Sequence, residues 1–309
     1  MTDPAIETNE LTKRFDTTAV VDVLDLRVER GTVLALLGPN GSGKTTTVRM
    51  LATLLRPSSG TAKVCGFDLC THPEHVRARI GLTGQFSAVD PNLSGTENVE
   101  FIAHVLGYRR RAARSIVGRI LEQFHLGAAA DQLVRTYSGG MRRRLDLATA
   151  FLTEPDVLFL DEPTTGLDPV AREELWDLVR TTVAGGCSVL LTTQYLQEAD
   201  TLADDIVVLN HGRKIAHGTP AELKALAGEP VLTLRTRTGQ AEMLHAALTA
   251  TGWPIACHEG ASTGVTVPGH HAADVIAAVQ QAGVIVESLS LREPDLDDVF
   301  RNLMAEEAQ

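Results

Sequence analysis

A glycine-rich turn between an apolar run and a helix pattern constrains the fold of this chain more than any other feature. Residues 33–37 (Val-Leu-Ala-Leu-Leu) form a continuous apolar run of the kind found in a strand that is buried on both faces. Residues 38–45 then read Gly-Pro-Asn-Gly-Ser-Gly-Lys-Thr and match the pattern G-x-x-x-x-G-K-[ST]. A helix pattern follows over residues 44–55 and ends before Pro57. The order strand, turn, helix predicts a βα unit of a parallel sheet.

This turn has the chemistry of a phosphate-binding site. Because glycine has no Cβ, successive backbone N–H groups can point at a phosphate, and the helix N-terminus adds a partial positive charge. Lys44 is placed to reach the β- and γ-phosphates of a nucleotide, and the Thr45 hydroxyl is placed to coordinate Mg²⁺. The sequence therefore predicts a site for ATP and Mg²⁺. The residues of this predicted phosphate cradle are Gly38, Pro39, Asn40, Gly41, Ser42, Gly43, Lys44, Thr45 and Thr46.

A second apolar run, residues 157–160, ends in two adjacent acids, Asp161 and Glu162. Burying two neighbouring carboxylates costs on the order of several kcal/mol unless a cation or a reaction uses them. We expect Asp161 to hold Mg²⁺ and Glu162 to be the general base that polarises the attacking water. Glu162 and Lys44 are therefore the leading candidates for catalytic residues.

The chain up to residue 228 alternates strand and helix patterns. Residues 6–37 are rich in strand patterns, and further apolar runs at 188–192 and 206–209 are separated by helix patterns. This order predicts an α/β domain over residues 1–228, with a mainly parallel sheet core, an N-terminal antiparallel part and a helical subdomain over about residues 86–150.

The pattern changes after residue 228, where short strands and helices follow the order βαββαβ and end in one further helix. This order predicts a small α+β domain of the ferredoxin-like type over residues 229–309. An irregular C-terminal extension is the alternative. The predicted elements are strands at 231–237, 254–258, 264–267 and 284–289, and helices at 241–250, 272–282 and 296–304.

Residues 137–141, Tyr-Ser-Gly-Gly-Met, open a helix between the glycine-rich turn and Asp161. This segment resembles the LSGGQ signature of the ABC ATPases, with Tyr and Met at the outer positions. The resemblance implies a P-loop NTPase fold of the ABC cassette type and ATP hydrolysis. It also implies a head-to-tail pair of subunits, in which Ser138, Gly139 and Gly140 of one copy cover the ATP that the other copy holds.

Other segments resemble further elements of the ABC cassette, residue by residue. Phe15 is similar to the aromatic residue that stacks on adenine, although a core aromatic on a strand is nearly as good an interpretation. Gln85 resembles the Q-loop glutamine, which contacts Mg²⁺ or the attacking water and reports to the membrane subunit. Asp168, in Thr-Gly-Leu-Asp-Pro, resembles the D-loop aspartate at the dimer seam. Gln194 occupies the switch position, where most ABC ATPases have His, and the resemblance makes Gln85 and Gln194 further candidates for catalytic residues.

The segment Thr-Thr-Gln-Tyr-Leu-Gln-Glu-Ala-Asp around Gln194, and residues 291–300, are similar to the daunorubicin/doxorubicin-resistance subfamily of bacterial drug exporters. This resemblance implies an ATPase subunit that powers drug export through a separate transmembrane permease. It also implies a regulatory role for the C-terminal domain. A different interpretation of its last helix remains open, namely an apolar stripe that packs on its own domain. That stripe consists of Leu296, Val299, Phe300 and Leu303.

Charge and composition exclude some partners. The net charge of −11 argues against a nucleic-acid partner, because phosphate-backbone binding needs a basic face. No apolar run approaches the roughly 18 residues of a membrane span, and the N-terminus lacks a signal-peptide pattern. We expect a peripheral protein at the cytoplasmic face of the membrane, bound through the permease. Two arginine clusters, Arg109–111 with Arg114 and Arg142–144, are interpreted as solvated helix faces, with docking to a partner or to anionic lipid as the alternative.

Three other functions remain as alternatives. Export of a lipid or glycolipid fits the same resemblance. A soluble ABC ATPase acting on ribosomes or DNA is disfavoured, because the chain has one cradle, one signature and an acidic balance. A regulatory domain that binds ATP without turnover is opposed by Glu162 and the intact cradle.

Gln194 generates a first testable prediction. A glutamine can donate a hydrogen bond to the γ-phosphate but cannot carry a positive charge or exchange a proton. We therefore expect Gln194→Ala to lower the ATPase rate, and we expect the pH profile of the wild-type rate to contain no titration that this substitution removes. Steady-state ATPase assays across the pH range check both points. An unchanged rate in Gln194→Ala would show that the side chain makes no γ-phosphate contact.

Overall fold

The computed structural model divides the chain into two compact units, Met1–Pro220 and Ala221–Gln309. The division falls before the boundary that the sequence predicts after Gly228. The sequence pattern changes only after the helix Pro220–Leu226 has ended. The contacts between residues in the structure, however, group most of this helix with the second unit. The structure describes residues 3–84, 89–228, 230–236, 240, 243, 246, 249, 256–258, 264–268 and 272–306.

Two sheets form the first unit within the described residues. An antiparallel sheet has the order β2-β1-β5-β6, with β3 also paired to β1, and a second sheet has the order β11-β10-β4-β9-β8-β7. The strands are β1 (Ile6–Phe15), β2 (Thr18–Leu24), β3 (Arg27–Val28), β4 (Val33–Leu37), β5 (Ser59–Val64), β6 (Phe67–Asp68), β7 (Ile80–Thr83), β8 (Val157–Asp161), β9 (Ser188–Thr193), β10 (Asp205–Asn210) and β11 (Arg213–Gly218).

The second sheet confirms the prediction of a mainly parallel core. Strands β10, β4, β9, β8 and β7 pair in parallel, and only β11 at one edge is antiparallel. All residues of β4, β8 and β9 are buried, as expected for strands with helices on both faces of their sheet. The register places Leu37 beside Thr193 and Asp161 beside Thr192, so the carboxyl ends of these three strands meet at one edge.

Helices lie between the parallel strands along the chain, because parallel pairing needs a long crossover connection, which is usually a helix. The predicted helical subdomain contains three of them, α3, α4 and α5, between β7 and β8. A capping box begins α3, because the Ser94 hydroxyl accepts from the Glu97 N–H and the Glu97 carboxylate accepts from the Ser94 N–H. The helices of the first unit, together with the one at its boundary, are α1 (Lys44–Leu51), α2 (Pro73–Arg77), α3 (Gly95–Val105), α4 (Arg110–Gln123), α5 (Gly139–Ala150), α6 (Pro169–Ala184), α7 (Leu196–Leu202) and α8 (Pro220–Leu226).

One hydrophobic cluster joins the two sheets of the first unit through α1. It contains Ile6 and Val64 of the antiparallel sheet, Met50 of α1, and Leu36 and Phe159 of the parallel sheet. Each of these side chains is fully buried, and burying a large apolar side chain contributes roughly 1.5–3 kcal/mol. The helix that begins at the glycine-rich turn is therefore held between both sheets.

The second unit contains one antiparallel sheet with the order β13-β14-β12-β15. Numbered within the unit, this order is 2-3-1-4, which is the order that a split βαβ arrangement of the ferredoxin-like type requires. Most of the helix predicted at 241–250 lies outside the described residues. The described elements are β12 (Val231–Thr236), β13 (Ala256–His258), β14 (Gly264–Pro268), α9 (Ala272–Gln281), β15 (Val286–Arg292) and α10 (Leu296–Glu306).

The last helix, α10, is held by its own chain. Leu296 and Val299 are buried and Phe300 is partly buried, which favours packing on the chain itself over an exposed interface stripe. Its acidic first turn is balanced by arginine, since Asp298 accepts from both Arg292 and Arg301. Among the described residues, no helix combines the length and the apolar character needed to cross a membrane.

The helical subdomain has a small aromatic core that generates a stability prediction. Phe124 is fully buried after α4, and its ring lies 5.1 Å from the ring of Phe151 in an edge-to-face arrangement. Because truncation leaves a cavity, we expect Phe124→Ala to lower the free energy of unfolding by about 3–5 kcal/mol. The control is Phe101→Ala, because the Phe101 side chain is 60% exposed and its loss should change stability by about 0.5 kcal/mol or less. Urea denaturation of both variants measures the difference, and equal midpoints would contradict this packing.

Candidate functional site

The glycine-rich turn leaves β4 and enters α1 at the sheet edge where the parallel strands end. Gly43 precedes the helix with φ +104°, a left-handed conformation that side chains rarely adopt. A Cβ at this position would lie 2.6 Å from the carbonyl oxygen of Val20, so the turn also packs too closely for any other residue. The first N–H groups of α1, which directly follow this turn, have no acceptor within the helix and are suited to bind an anion.

Lys44 lies at the centre of the turn. Its side chain is 4% exposed, and its ammonium donates to the carbonyl oxygens of Gly38 (2.7 Å) and Pro39 (3.0 Å). Its Nζ lies 3.9 Å from Oε1 of Glu162. Burial lowers the pKa of Lys44, while the carboxylates of Glu162 and Asp161 act in the opposite direction. The structure thus brings together Lys44 and Glu162, two of the four predicted catalytic residues.

The carboxylate of Asp161 joins three elements at this edge. Its Oδ1 accepts from the Thr45 hydroxyl of α1 at 3.0 Å and from the Thr192 hydroxyl of β9 in a shorter bond. Asp161 is 4% exposed, so these two donors compensate for the loss of water around its charge. Sequence reasoning missed Thr192, which only the pairing of β8 with β9 places beside Asp161.

Glu162 leaves β8 in an unusual backbone conformation. Its φ is +50°, which places a residue with a side chain in the left-handed region at a cost of roughly 1–3 kcal/mol. Its N–H donates to the carbonyl oxygen of Thr192 at 3.0 Å. Such strain persists only where surrounding contacts hold it, and here it turns the carboxylate toward Lys44.

The buried Ser42 hydroxyl fits a phosphate ligand. Ser42 is 2% exposed, and its Oγ has no hydrogen-bond partner among the residues that the structure describes. A buried hydroxyl without a partner costs about 1–3 kcal/mol. A phosphate oxygen in the turn would supply the missing partner.

The signature segment begins α5. Ser138 caps this helix, since its hydroxyl accepts from the N–H of Met141 at 3.2 Å. Gly140 faces Ala171 of α6, where a Cβ would lie 2.7 Å from the Ala171 Cβ. Tyr137, at the outer position where the signature has Leu, is buried and donates to the carbonyl oxygen of Ala129 at 2.7 Å. The start of α5 therefore packs closely against α6 at Gly140, where a larger side chain would not fit.

The other predicted residues occupy different parts of the surface. Phe15 is 47% exposed at the end of β1, so the alternative of a core aromatic is wrong, and the Lys13 ammonium lies 5.1 Å from its ring centre. Gln194 is exposed directly after β9. The carboxylate of Asp168 caps α6 by accepting from the Ala171 N–H at 2.9 Å. Gln85 lies outside the described residues.

The interpretation of the two arginine clusters as solvated faces holds for only one of them. Arg109–111 and Arg114 are exposed. In the second cluster, the side chains of Arg143 and Arg144 are only 13% and 17% exposed, and each has a partner within the chain. A run of arginines on a helix does not reveal such burial, because it depends on acceptors from distant segments, namely Glu174 and the carbonyl groups of Gly84 and Pro163.

A cleft of about 480 Å³ connects the start of α5 with Glu162. Arg143 and Asp146 of α5 line it from one side, and the loop after Glu162 lines it from the other. Beside it, Glu198 of α7 is a buried acid that sequence reasoning missed. Its Oε1 accepts from the indole N–H of Trp176 at 3.4 Å, and burial raises its pKa. Buried titratable groups therefore lie beside the carboxyl end of β8 on the side of α5 and α7.

Comparisons with known proteins agree with this geometry. A family model described as ABC transporter matches residues 21–165. The daunorubicin/doxorubicin resistance ATP-binding protein DrrA of Streptomyces peucetius is 47% identical over 301 residues, which cover 96% of this chain and 91% of that protein. Nod factor export ATP-binding protein I of Ralstonia nicotianae is 43% identical over 220 residues, which cover 71% of this chain and 68% of that protein.

A solved structure shares the fold. The structure of cbiO1 from Clostridium perfringens, part of the ABC transporter complex cbiONQ, matches with a TM-score of 0.68 and 25% identity. The match covers 81% of this chain and 98% of that one. A buried cradle lysine, paired acids at the end of β8 and a signature helix capped by serine are what an ATPase of this kind needs. This chain belongs to the ABC transporter family, as an ATP-hydrolysing ATP-binding subunit of the daunorubicin/doxorubicin-resistance group.

Proposed function

We propose that this ATPase powers the export of a hydrophobic drug through a separate membrane permease, and that it works as a head-to-tail pair of identical chains. The observation that carries the chemical part is the convergence of Lys44, Thr45, Asp161 and Glu162 where β4 and β8 end. Four polar groups from two distant segments meet there in a buried position, and phosphoryl transfer needs this combination of cation, metal ligand and base.

Lys44 and Glu162 are the proposed catalytic residues. The Lys44 ammonium donates to two carbonyl oxygens of the turn, and it can exchange these acceptors for the β- and γ-phosphates of ATP. Glu162, 3.9 Å from that ammonium, is the proposed general base for the attacking water. Gln194, exposed after β9, is the proposed hydrogen-bond donor to the γ-phosphate, and Phe15 offers an exposed ring face for adenine.

The donor set beside the cradle fits Mg²⁺. Magnesium prefers oxygen ligands and is usually held by one or two protein oxygens, with water and substrate phosphates completing its shell. The Thr45 hydroxyl and the Asp161 carboxylate, 3.0 Å apart, would supply the two protein oxygens. The sequence adds Gln85 as a third candidate ligand. When bound there with ATP, the ion would neutralise charge on the phosphates.

The proposed pair of identical chains is supported by two helix N-termini in each chain that are suited to bind an anion. The start of α1 carries Lys44, while the start of α5 carries Ser138, Gly139 and Gly140 on a different part of the first unit. A second copy in head-to-tail orientation would place its α5 over the ATP of the first, and Asp168 in the loop after Glu162 would lie at the seam. Such a pair closes with two ATP molecules between the subunits.

Contact with the permease is supported by exposed apolar side chains on α3 and at the residue that directly follows it. Phe101, Val105 and Leu106 are 60%, 69% and 45% exposed, and the first two lie one helical turn apart. Contiguous exposed apolar side chains commonly mark contacts with another protein. The permease would hold the subunit at the cytoplasmic face of the membrane, and no nucleic acid is involved, in keeping with the net charge of −11.

The extent of similarity favours a drug as the cargo. The relative named for daunorubicin and doxorubicin resistance matches 96% of this chain, which includes most of the second unit. The relative named for Nod factor export matches only 71%. Export of a lipid or glycolipid is the second candidate, because the name of that relative shows that a similar ATP-binding protein can serve the export of a different substrate.

Substitution of Glu162 tests the shared site. We expect Glu162→Gln to lower ATP turnover by about 10²-fold or more, since it removes a general base, and to accumulate an ATP-bound dimer on size-exclusion chromatography. Lys44→Ala should abolish both turnover and dimer formation. The matched control is Glu173→Gln, a carboxylate exposed on α6 that should leave both properties unchanged. A Glu162→Gln chain that binds ATP but stays monomeric would rule out the head-to-tail pair.

The cargo is tested with the complex of the full chain and its permease in lipid vesicles. We expect daunorubicin to stimulate ATP hydrolysis in a saturable manner, because cargo binding and closure of the pair are thermodynamically coupled. The Lys44→Ala complex should show no stimulation. Stimulation by a glycolipid together with no response to daunorubicin would replace the drug by the second candidate.

A further inference from the structure

Arg143 donates hydrogen bonds to backbone carbonyl groups of two segments that are distant from it in the sequence. It lies on α5, one turn after the signature glycines, and its side chain is only 13% exposed. Its Nε donates to the carbonyl oxygen of Pro163 at 2.9 Å, and its Nη1 donates to the carbonyl oxygen of Gly84 at 2.8 Å. A longer contact of 3.5 Å joins its Nη2 to the carbonyl oxygen of Asp161.

These acceptors belong to the catalytic edge. Asp161 and Pro163 are the residues on either side of Glu162, so one guanidinium contacts the backbone before and after the proposed general base. Gly84 directly follows β7 and directly precedes Gln85 in the sequence. Arg143 therefore connects the signature helix with two segments that carry predicted catalytic residues.

The charge of Arg143 is balanced without using these contacts. Asp146, on the same helix, lies 3.3 Å from its Nη1, and the Asp146 side chain is only 5% exposed. Because this ion pair lies within α5, it adds nothing to the connection between segments. The carbonyl contacts are what joins them. They also fit the planar fork of arginine, because its Nε, Nη1 and Nη2 are separate donor atoms at different positions, whereas all three donors of a lysine ammonium lie on one nitrogen.

Glu162 needs such support. Its backbone has φ +50°, a conformation that persists only when neighbouring contacts over-determine it. One such contact is the hydrogen bond from its N–H to the Thr192 carbonyl oxygen. The Thr165 N–H also donates to the Glu162 carbonyl oxygen at 3.4 Å. Arg143 adds contacts to the carbonyl groups of the two flanking residues.

We propose that Arg143 is a positioning residue for ATP hydrolysis, which holds the backbone on both sides of Glu162 and ties its placement to the signature helix. The inference rests on the proposed role of Glu162 as general base. Among the described residues, Arg143 donates to the carbonyl groups of Gly84, Asp161 and Pro163 and to the Asp146 carboxylate, all of which lie outside the cradle. Its loss should therefore slow the chemical step and leave ATP affinity intact.

The experiment compares Arg143→Lys and Arg143→Gln with wild type in the full chain. We expect kcat to fall about 10-fold or more, because a displacement of about 1 Å at a reacting group costs up to 10²-fold. KM for ATP should change by less than about twofold, since an interaction made only in the transition state lowers kcat and kcat/KM equally. Lysine should not rescue the rate although it keeps the charge. Arg114→Gln, an exposed arginine on α4, is the control that should retain wild-type kinetics.

Two further measurements separate positioning from folding. Thermal unfolding reports stability, and the stoichiometry of binding a fluorescent ATP analogue counts competent sites, so that kcat is expressed per site. A normal kcat per site with fewer sites, or the failure of both variants to fold, would show that Arg143 serves stability alone and would overturn the proposal. So would full activity of Arg143→Lys.

The proposed function is tested separately within the same series. Turnover by wild type and its absence in Lys44→Ala establish the ATPase site, whatever the Arg143 variants do. With that site established, the kcat of the Arg143 variants decides the inference alone. If wild type does not hydrolyse ATP, both the proposed roles and the positioning of Glu162 are wrong.

Discussion

The hydrogen bonds to the Asp161 carboxylate are the interaction on which the site depends. Thr45 brings the first turn of α1 to this carboxylate, and Thr192 brings the end of β9. A buried carboxylate is stable only when donors replace its water, so the three elements cannot separate without a large penalty. The position of the cradle relative to the acids is therefore set by the chemistry of one side chain and the register of two strands.

Other buried charges extend this arrangement outward from Asp161. Lys44, Arg143 and Glu198 are each largely buried. Burial lowers the pKa of Lys44 and of Arg143 and raises the pKa of Glu198, and nearby opposite charges act against each of these shifts. A core built for stability alone would avoid such groups, because hydrophobic replacements are often neutral or stabilising. Their concentration at the carboxyl ends of β8 and β9 indicates that this edge is organised for chemistry.

The sequence is sufficient for features that depend on local patterns. Continuous apolar runs predict the buried parallel strands, and glycines with Lys44 predict the cradle, because both signals lie within a few consecutive residues. Contacts between distant segments are different. The burial of Arg143 depends on carbonyl groups of Gly84 and Pro163, and the partner of Asp161 on β9 depends on strand order. The division after Pro220 likewise follows from contacts and not from composition.

The position of Arg143 on α5 has a consequence for the proposed pair. The start of α5, with Ser138, would contact the ATP held by the partner copy, whereas Arg143 on the next turn contacts the backbone around Glu162 of its own chain. A shift of this one helix would then change both sites together. Coupling between two sites requires an element whose placement each of them influences. A rigid helix that carries a ligand contact at its start and a positioning arginine one turn later is such an element, and it would make hydrolysis in one site sensitive to occupancy of the other.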